Sequence, residues 1–113
     1  MNFIPYGKQN IDKDDIEAVI EILNSDYLTT GPKVKEFEDK ICEFTDAKYA
    51  VAVANGTAAL HLASMVLLNK NDKVLTTPNS FLATSNSILY VGAKPIFVDI
   101  QEDGNIDLDL CEE

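Results

Sequence analysis

The chain has 113 residues, 46% of them hydrophobic and 25% charged, enough for one globular domain at most and too apolar for a disordered segment. Nineteen Asp and Glu against nine Lys and Arg give a formal net charge of -10, so the surface repels polyanions and no nucleic-acid partner is expected. No apolar run of about eighteen residues and no charged-then-apolar leader follows Met1, so neither a membrane partner nor a signal peptide is expected and the reading is cytoplasmic.

In chain order, residues 1–10 (MNFIPYGKQN) read as an extended arm with Phe3, Ile4 and Tyr6 around Pro5. Asp12 is a good N-cap for a helix through Leu23, with Asp14, Asp15 and Glu17 in its first turn and Ile16, Val19, Ile20 and Leu23 on one face. Asn24-Ser25-Asp26 ends it. A loop over Tyr27 to Gly31 leads to Pro32, which suits the first position of a second helix carrying Val34, Phe37, Ile41 and Phe44 at helical spacing. Cys42 sits beside that stripe; it and the distant Cys111 lack a CxxC or His spacing and read as reduced structural thiols.

The alternation Ala50, Val51, Ala52, Val53, Ala54 reads as a buried strand. Asn55-Gly56 is a turn dipeptide, and Thr57 opens a helix with Leu60, Ala63, Val66 and Leu67 on one face. Strand, tight turn and helix make an anion cradle, because the first N–H groups of a helix lack internal acceptors and the macrodipole adds positive character. The same pattern also serves as a plain connection. A phosphate site requires the Thr57 and Ala58 N–H groups to be free of acceptors; the plain connection has Asn55 cap them.

Asn69 to Asp72 form a polar connection, and Lys73 to Thr77 a second short strand closed by Pro78. Pro78-Asn79-Ser80 leads into a helix from Phe81 to Val91, with Gly92 as its C-cap. On these residues alone Phe81 reads as a core aromatic. Pro95 to Ile100 is a third strand, Asp103-Gly104 a turn, and Asp107 the N-cap of a helical start over Leu108 to Cys111 that runs for about a turn. A calcium loop centred on Gly104 fails, since Gln101 and Leu110 stand at ligand positions; the acidic tail reads as a solvated loop. Strands alternating with helices argue for an α/β fold with a parallel sheet whose ligands lie beyond the strands' carboxyl ends, where Asn55-Gly56-Thr57 and Pro78 to Phe81 both fall. Three parallel strands want further neighbours, so the chain reads as the front portion of a larger domain.

Six segments then stand in a recognisable order: Asp26-Tyr-Leu-Thr-Thr-Gly-Pro32, Val34-x-x-Phe37-Glu38, Asn55-Gly-Thr-Ala-Ala-Leu-His61-Leu-Ala63, Thr76-Thr-Pro-Asn-Ser-Phe-x-Ala-Thr84, Gly92-Ala-Lys-Pro-x-Phe-Val-Asp99 and Gly104-Asn-Ile-Asp107. Together they resemble the N-terminal portion of the DegT/StrS-type nucleotide-sugar aminotransferases, which use pyridoxal 5'-phosphate. The resemblance implies a truncated large domain of a fold type I enzyme, with residues 1–31 as arm, helix and substrate-side loop and 32–113 as the first part of the cofactor-binding domain. Ile4-Pro-Tyr-Gly7 and Gly104-Asn-Ile-Asp107 tilt it toward the branch that makes the 4-amino sugar precursor of pseudaminic acid.

Carried over by residue, the resemblance implies that Thr57 and the Ala58 backbone, beside Gly56, bind the cofactor phosphate and that Phe81 stacks on the pyridine ring. Tyr6, Asp26, Tyr27, Leu28, Thr29 and Asn55 match positions lining a sugar-nucleotide pocket, in part across a homodimer interface; Asn55 departs from the Ser common there. His61 reads as a packing residue. The implied activity is amination of a 4-keto UDP-sugar by glutamate in cell-surface glycan biosynthesis. Transamination needs a Schiff-base lysine and an acid facing the pyridine nitrogen, and both family motifs are expected beyond Glu113. Lys70, Lys73 and Lys94 stand in turn contexts, so no catalytic residue is expected in this chain and alone it should be inactive. The competing readings are a small phosphate- or nucleotide-binding module and a partner subunit of a split enzyme.

Overall fold

A computed structural model describes residues 5–111, which pack as two units divided between Ala52 and Val53. The first unit holds helices α1 (Lys13–Leu23) and α2 (Pro32–Thr45). The Asp12 carboxylate accepts the N–H groups of Asp14 and Asp15 at 2.9 and 3.1 Å, and Asp15 returns the bond to the Asp12 N–H at 3.0 Å, so the expected cap is a full capping box. Pro32 occupies the first turn of α2, and Asp46 ends that helix in the left-handed conformation at φ 57°. Lys33 and Lys40 both reach Glu36, at 2.8 and 3.1 Å, while Lys35 pairs with Asp39. The Lys33 bond first, and then the Lys40 bond, hold the solvated Glu36 carboxyl below its usual range. The apolar stripes of both helices are open to solvent, with Phe44 90% and Leu23 63% exposed.

The second unit holds α3 (Gly56–Leu67), β1 (Lys73–Thr76), α4 (Leu82–Tyr90), β2 (Lys94–Phe97) and a single 3-10 turn over Asp109–Cys111. Strands β1 and β2 pair in parallel, Lys73 opposite Lys94 through Thr76 opposite Phe97, and the Val98 N–H extends the contact to the Thr76 carbonyl at 2.8 Å. Helix α4 connects the two strands and packs on both, with α3 against α4. The buried apolar residues Ala83, Ile88, Ala93 and Val98 are mostly small, as are the buried Ser64, Thr76 and Ser87. Small side chains let the helices approach closely, and the Ser87 hydroxyl is satisfied by the Thr84 carbonyl at 2.9 Å. Val91 is the C-cap of α4 and Gly92 follows it with left-handed backbone, φ 78°, which favours glycine there; a Cβ would also lie 3.2 Å from Lys70 Cγ, a tight contact.

Two expectations are corrected. The run Ala50 to Ala54 forms no strand: among the described residues no partner strand lies beside it, its Val51 is 74% exposed, and the Ala52 N–H donates to the Glu38 carboxylate at 2.9 Å. Alternating hydrophobicity prepares a strand, but a strand exists only in a ladder. The third strand stops at Phe97 and not Ile100, because Ile100 turns away into an antiparallel bridge with Ile106. The short helical start expected after Asp107 is the 3-10 turn at Asp109–Cys111, with the Asp107 carboxylate accepting the Asp109 N–H at 3.0 Å. Phe3 and Ile4 of the N-terminal arm lie outside the described residues.

Candidate cofactor cradle at the head of α3 and α4

Helix α3 begins at Gly56, one residue earlier than expected, with Asn55 as its N-cap. The Asn55 side-chain carbonyl accepts the Ala58 N–H at 2.9 Å. This overturns the expectation that both cradle N–H groups stand free: the Ala58 donor is taken, because an extended Asn at the N-cap places its oxygen over the first turn. The Thr57 N–H has no acceptor among the described residues. Thr57 and Ala58 are half-buried and Asn55 and Gly56 exposed. The cradle therefore retains a free N–H and a hydroxyl at Thr57 together with the positive end of a helix.

The loop after β1 supplies the second part. Helix α3 returns to β1 through only residues 68–72, and β1 to α4 through 77–81, so the heads of both helices lie toward the carboxyl end of β1. Leu60 of α3, Thr76 of β1 and Thr84 of α4 line one groove, consistent with that arrangement. Phe81 is the N-cap of α4, in extended backbone, and makes no side-chain cap. Its ring is 79% exposed, so the core reading of Phe81 is corrected: the buried positions of α4 are Ala83, Ser87 and Ile88, and Phe81 stands ahead of them in the loop. Beside the ring is an open cleft of about 200 Å³, lined among others by Thr77, Ser80, Thr84 and Phe97. The Asn79 N–H donates to the Thr77 hydroxyl at 3.1 Å, and the Ser80 and Thr84 hydroxyls bond to each other at 2.8 Å. Sequence reasoning passed over this hydroxyl pair, although two hydroxyl residues flanking a helix start whose N-cap is Phe were its available signal.

The remaining site residues belong to the first unit. Tyr6 is fully exposed, Tyr27 and Leu28 are 62% and 64% exposed, and Asp26 and Thr29 are exposed. The Ser25 hydroxyl bonds to the Ile22 carbonyl at 2.8 Å and accepts the Tyr27 N–H at 3.2 Å, which starts the loop. Thr30 is left-handed at φ 50°, and a Cβ on Gly31 would lie 2.8 Å from that of Tyr27, so this loop turns back tightly onto α2. His61 meets Tyr90 edge-on, ring centres 5.1 Å apart, as a packing contact between α3 and α4. Lys73 and Lys94 begin their strands, at the end of the sheet away from the Phe81 loop, and Lys70 lies over Gly92.

The sequence profile of the DegT/DnrJ/EryC1/StrS aminotransferase family matches residues 9–113. A UDP-4-amino-4,6-dideoxy-N-acetyl-beta-L-altrosamine transaminase of Campylobacter jejuni serotype O:23/36 is 49% identical over 104 residues, 92% of this chain and 28% of that protein. The Bacillus subtilis spore coat polysaccharide biosynthesis protein SpsC is 44% identical over 108 residues, 94% of this chain and 28% of that protein. Among solved structures, a putative sugar aminotransferase from Streptococcus pneumoniae in its PLP form superposes with a TM-score of 0.88 at 37% identity, covering 96% of this chain and 28% of that one. Helicobacter pylori PseC, an aminotransferase involved in the biosynthesis of pseudaminic acid, gives 0.87 at 38% identity over 96% of this chain and 30% of that one. The chain thus spans a little over a quarter of the length of these relatives, and its two-stranded unit is part of the large α/β domain of that fold. It belongs to the DegT/DnrJ/EryC1/StrS aminotransferase family.

Proposed function

We propose that this chain forms the phosphate and ring-stacking side of the pyridoxal 5'-phosphate site of a sugar aminotransferase, one that moves an amino group from glutamate to a 4-keto UDP-sugar in surface-glycan synthesis. The observation behind this reading is the pairing of an acceptor-free Thr57 N–H at a helix head with a solvent-exposed Phe81 ring in the loop after β1. When bound, the cofactor supplies the electron sink for amino transfer. Thr57 gives its N–H and hydroxyl to the phosphate, and Phe81 covers one face of the ring. The Ala58 N–H joins only when the Asn55 carboxamide releases it, so the residues fit the group with one displacement. Gly56, without a side chain, leaves the approach open.

Tyr6, Asp26, Tyr27, Leu28, Thr29 and Asn55 are assigned to the sugar nucleotide, and the assembled enzyme is read as a cytoplasmic homodimer. The 49% identity to an altrosamine transaminase and the likeness to PseC support the pseudaminic acid branch. The reading assigns the Schiff-base lysine to none of these residues, and the placement of Lys73 and Lys94 at the starts of their strands and of Lys70 beside Gly92 supports it. On this reading the chain alone is inactive.

The test is titration of pyridoxal 5'-phosphate into the protein as its gene encodes it, with inorganic phosphate as competitor. Thr57→Val removes one bond to a charged group and should weaken binding about tenfold. Borohydride treatment followed by peptide mass spectrometry should find no cofactor fixed to any lysine of these 113 residues. Unchanged affinity in the variant, or a stoichiometric adduct on Lys70, Lys73 or Lys94, would defeat the proposal.

A further inference from the structure

Phe81 is a poor choice for its position on grounds of stability. Ser, Thr, Asp and Asn are favoured at an N-cap because they satisfy an orphan N–H, and Phe satisfies none. Its ring also gains little from burial, being 79% exposed. Yet the backbone around it is held at both sides. Before it, Thr77 accepts the Asn79 N–H at 3.1 Å; across it, the Ser80 hydroxyl meets the Thr84 hydroxyl at 2.8 Å. The Thr84 N–H donates to the Phe81 carbonyl at 2.9 Å, which closes the first turn under the ring. Ser80 and Thr84 are thus the residues just before the cap and three after it. Their bond spans the place a capping box would occupy, displaced by one residue so that the cap position itself is free to carry an aromatic ring. Both also line the cleft of about 200 Å³ beside that ring.

We propose that Ser80 and Thr84 are positioning residues, whose hydroxyl-to-hydroxyl bond locks the start of α4 and holds the Phe81 ring at the lip of the cleft for stacking on a planar heteroaromatic ring. The proposal rests on the cofactor reading above and adds two residues to it. It accounts for the tolerance of an uncapped, exposed Phe at a helix start: the flanking hydroxyls order the backbone, and the ring is kept for a ligand. A loop free to move would lose backbone freedom when its ring stacks on a ligand; a loop whose backbone is already fixed loses less, so the clasp strengthens binding.

The experiment uses the gene-encoded protein with Ser80→Ala, Thr84→Val, the double variant and the hydroxyl-retaining Ser80→Thr. Two readouts are taken: amide hydrogen exchange over residues 79–85 without ligand, and the affinity and induced circular dichroism of bound pyridoxal 5'-phosphate. Either single loss should speed exchange in this segment, weaken the cofactor about fivefold and diminish the induced signal, as expected for one neutral hydrogen bond. The double variant should be no worse than either single one, because both remove the same bond. Ser80→Thr should restore all three. Unchanged exchange in Ser80→Ala overturns the clasp, and additive losses in the double variant overturn it in favour of two hydroxyls acting separately. Faster exchange with unaltered affinity and dichroism shows a merely structural bond and overturns the positioning role. A wild-type protein that takes up no cofactor defeats the functional reading, while the exchange data still decide whether the clasp exists.

Discussion

Asn55 holds the residue-scale question of the site, because its carboxamide oxygen sits where a phosphate oxygen would need the Ala58 N–H. The two roles pull in opposite directions. As an N-cap, Asn55 stabilises α3, and Asn55→Ala should cost about 1 kcal/mol of stability, read as a shift of the denaturant midpoint. As a competitor for the donor, its removal should leave pyridoxal phosphate affinity equal or higher. Weaker binding in Asn55→Ala would show instead that the carboxamide itself contacts the ligand. A second residue-scale effect lies far from the cradle. The Asp103 carboxylate accepts the Asn105 N–H and then its side-chain amide, both at 2.9 Å, and these bonds hold its pKa below the ordinary Asp value. A carboxyl depressed on folding gives stability that is present above its unfolded pKa and lost as pH falls through the folded one. The Asn105 amide resonance should therefore titrate with a midpoint below the usual Asp range, and Asp103→Asn should abolish that titration.

At the scale of elements, the helices were legible because each has a local signal: the Asp12 cap, Pro32 in the first turn of α2, and the left-handed Gly92 just after the end of α4. Periodicity and caps act within a few residues, so the sequence alone displays them. The segment Ala50 to Ala54 misled because pairing is not local, and alternation says nothing about whether a neighbour is present. Phe81 misled for a different reason. Hydrophobicity predicts burial, whereas Phe81 stands exposed ahead of α4 with hydroxyl residues on either side, a placement that hydrophobicity does not register. The cradle at Thr57 was visible from the turn and helix start. Asn55's claim on one of its two donors was not, since Asn-Gly reads equally as a turn and as a cap followed by a first helical residue.

For the whole molecule, the balance of surface is the leading fact. In the first unit no residue of α1 or α2 is buried, and in the second the α3 residues Met65, Val66 and Leu67 are 58%, 84% and 76% exposed. Monomeric soluble proteins rarely leave apolar stripes of this kind open. The 113-residue chain in isolation should therefore self-associate, despite a net charge of -10, and sedimentation velocity should show species heavier than the 12.4 kDa monomer. A single monomeric boundary with a cooperative thermal transition would contradict this.

The pairing of β1 with β2 has a consequence for synthesis. Lys73 meets Lys94 across a separation of only twenty-one residues (94 minus 73), and the intervening α4 packs on both strands. Closing so short a loop costs less chain entropy than a longer crossover would, and all of the pairing lies before Ile100. A nascent chain can form it as soon as Val98 has left the ribosomal tunnel. The cleft beside Phe81, lined by residues from Thr77 to Phe97, needs no later residue to take shape.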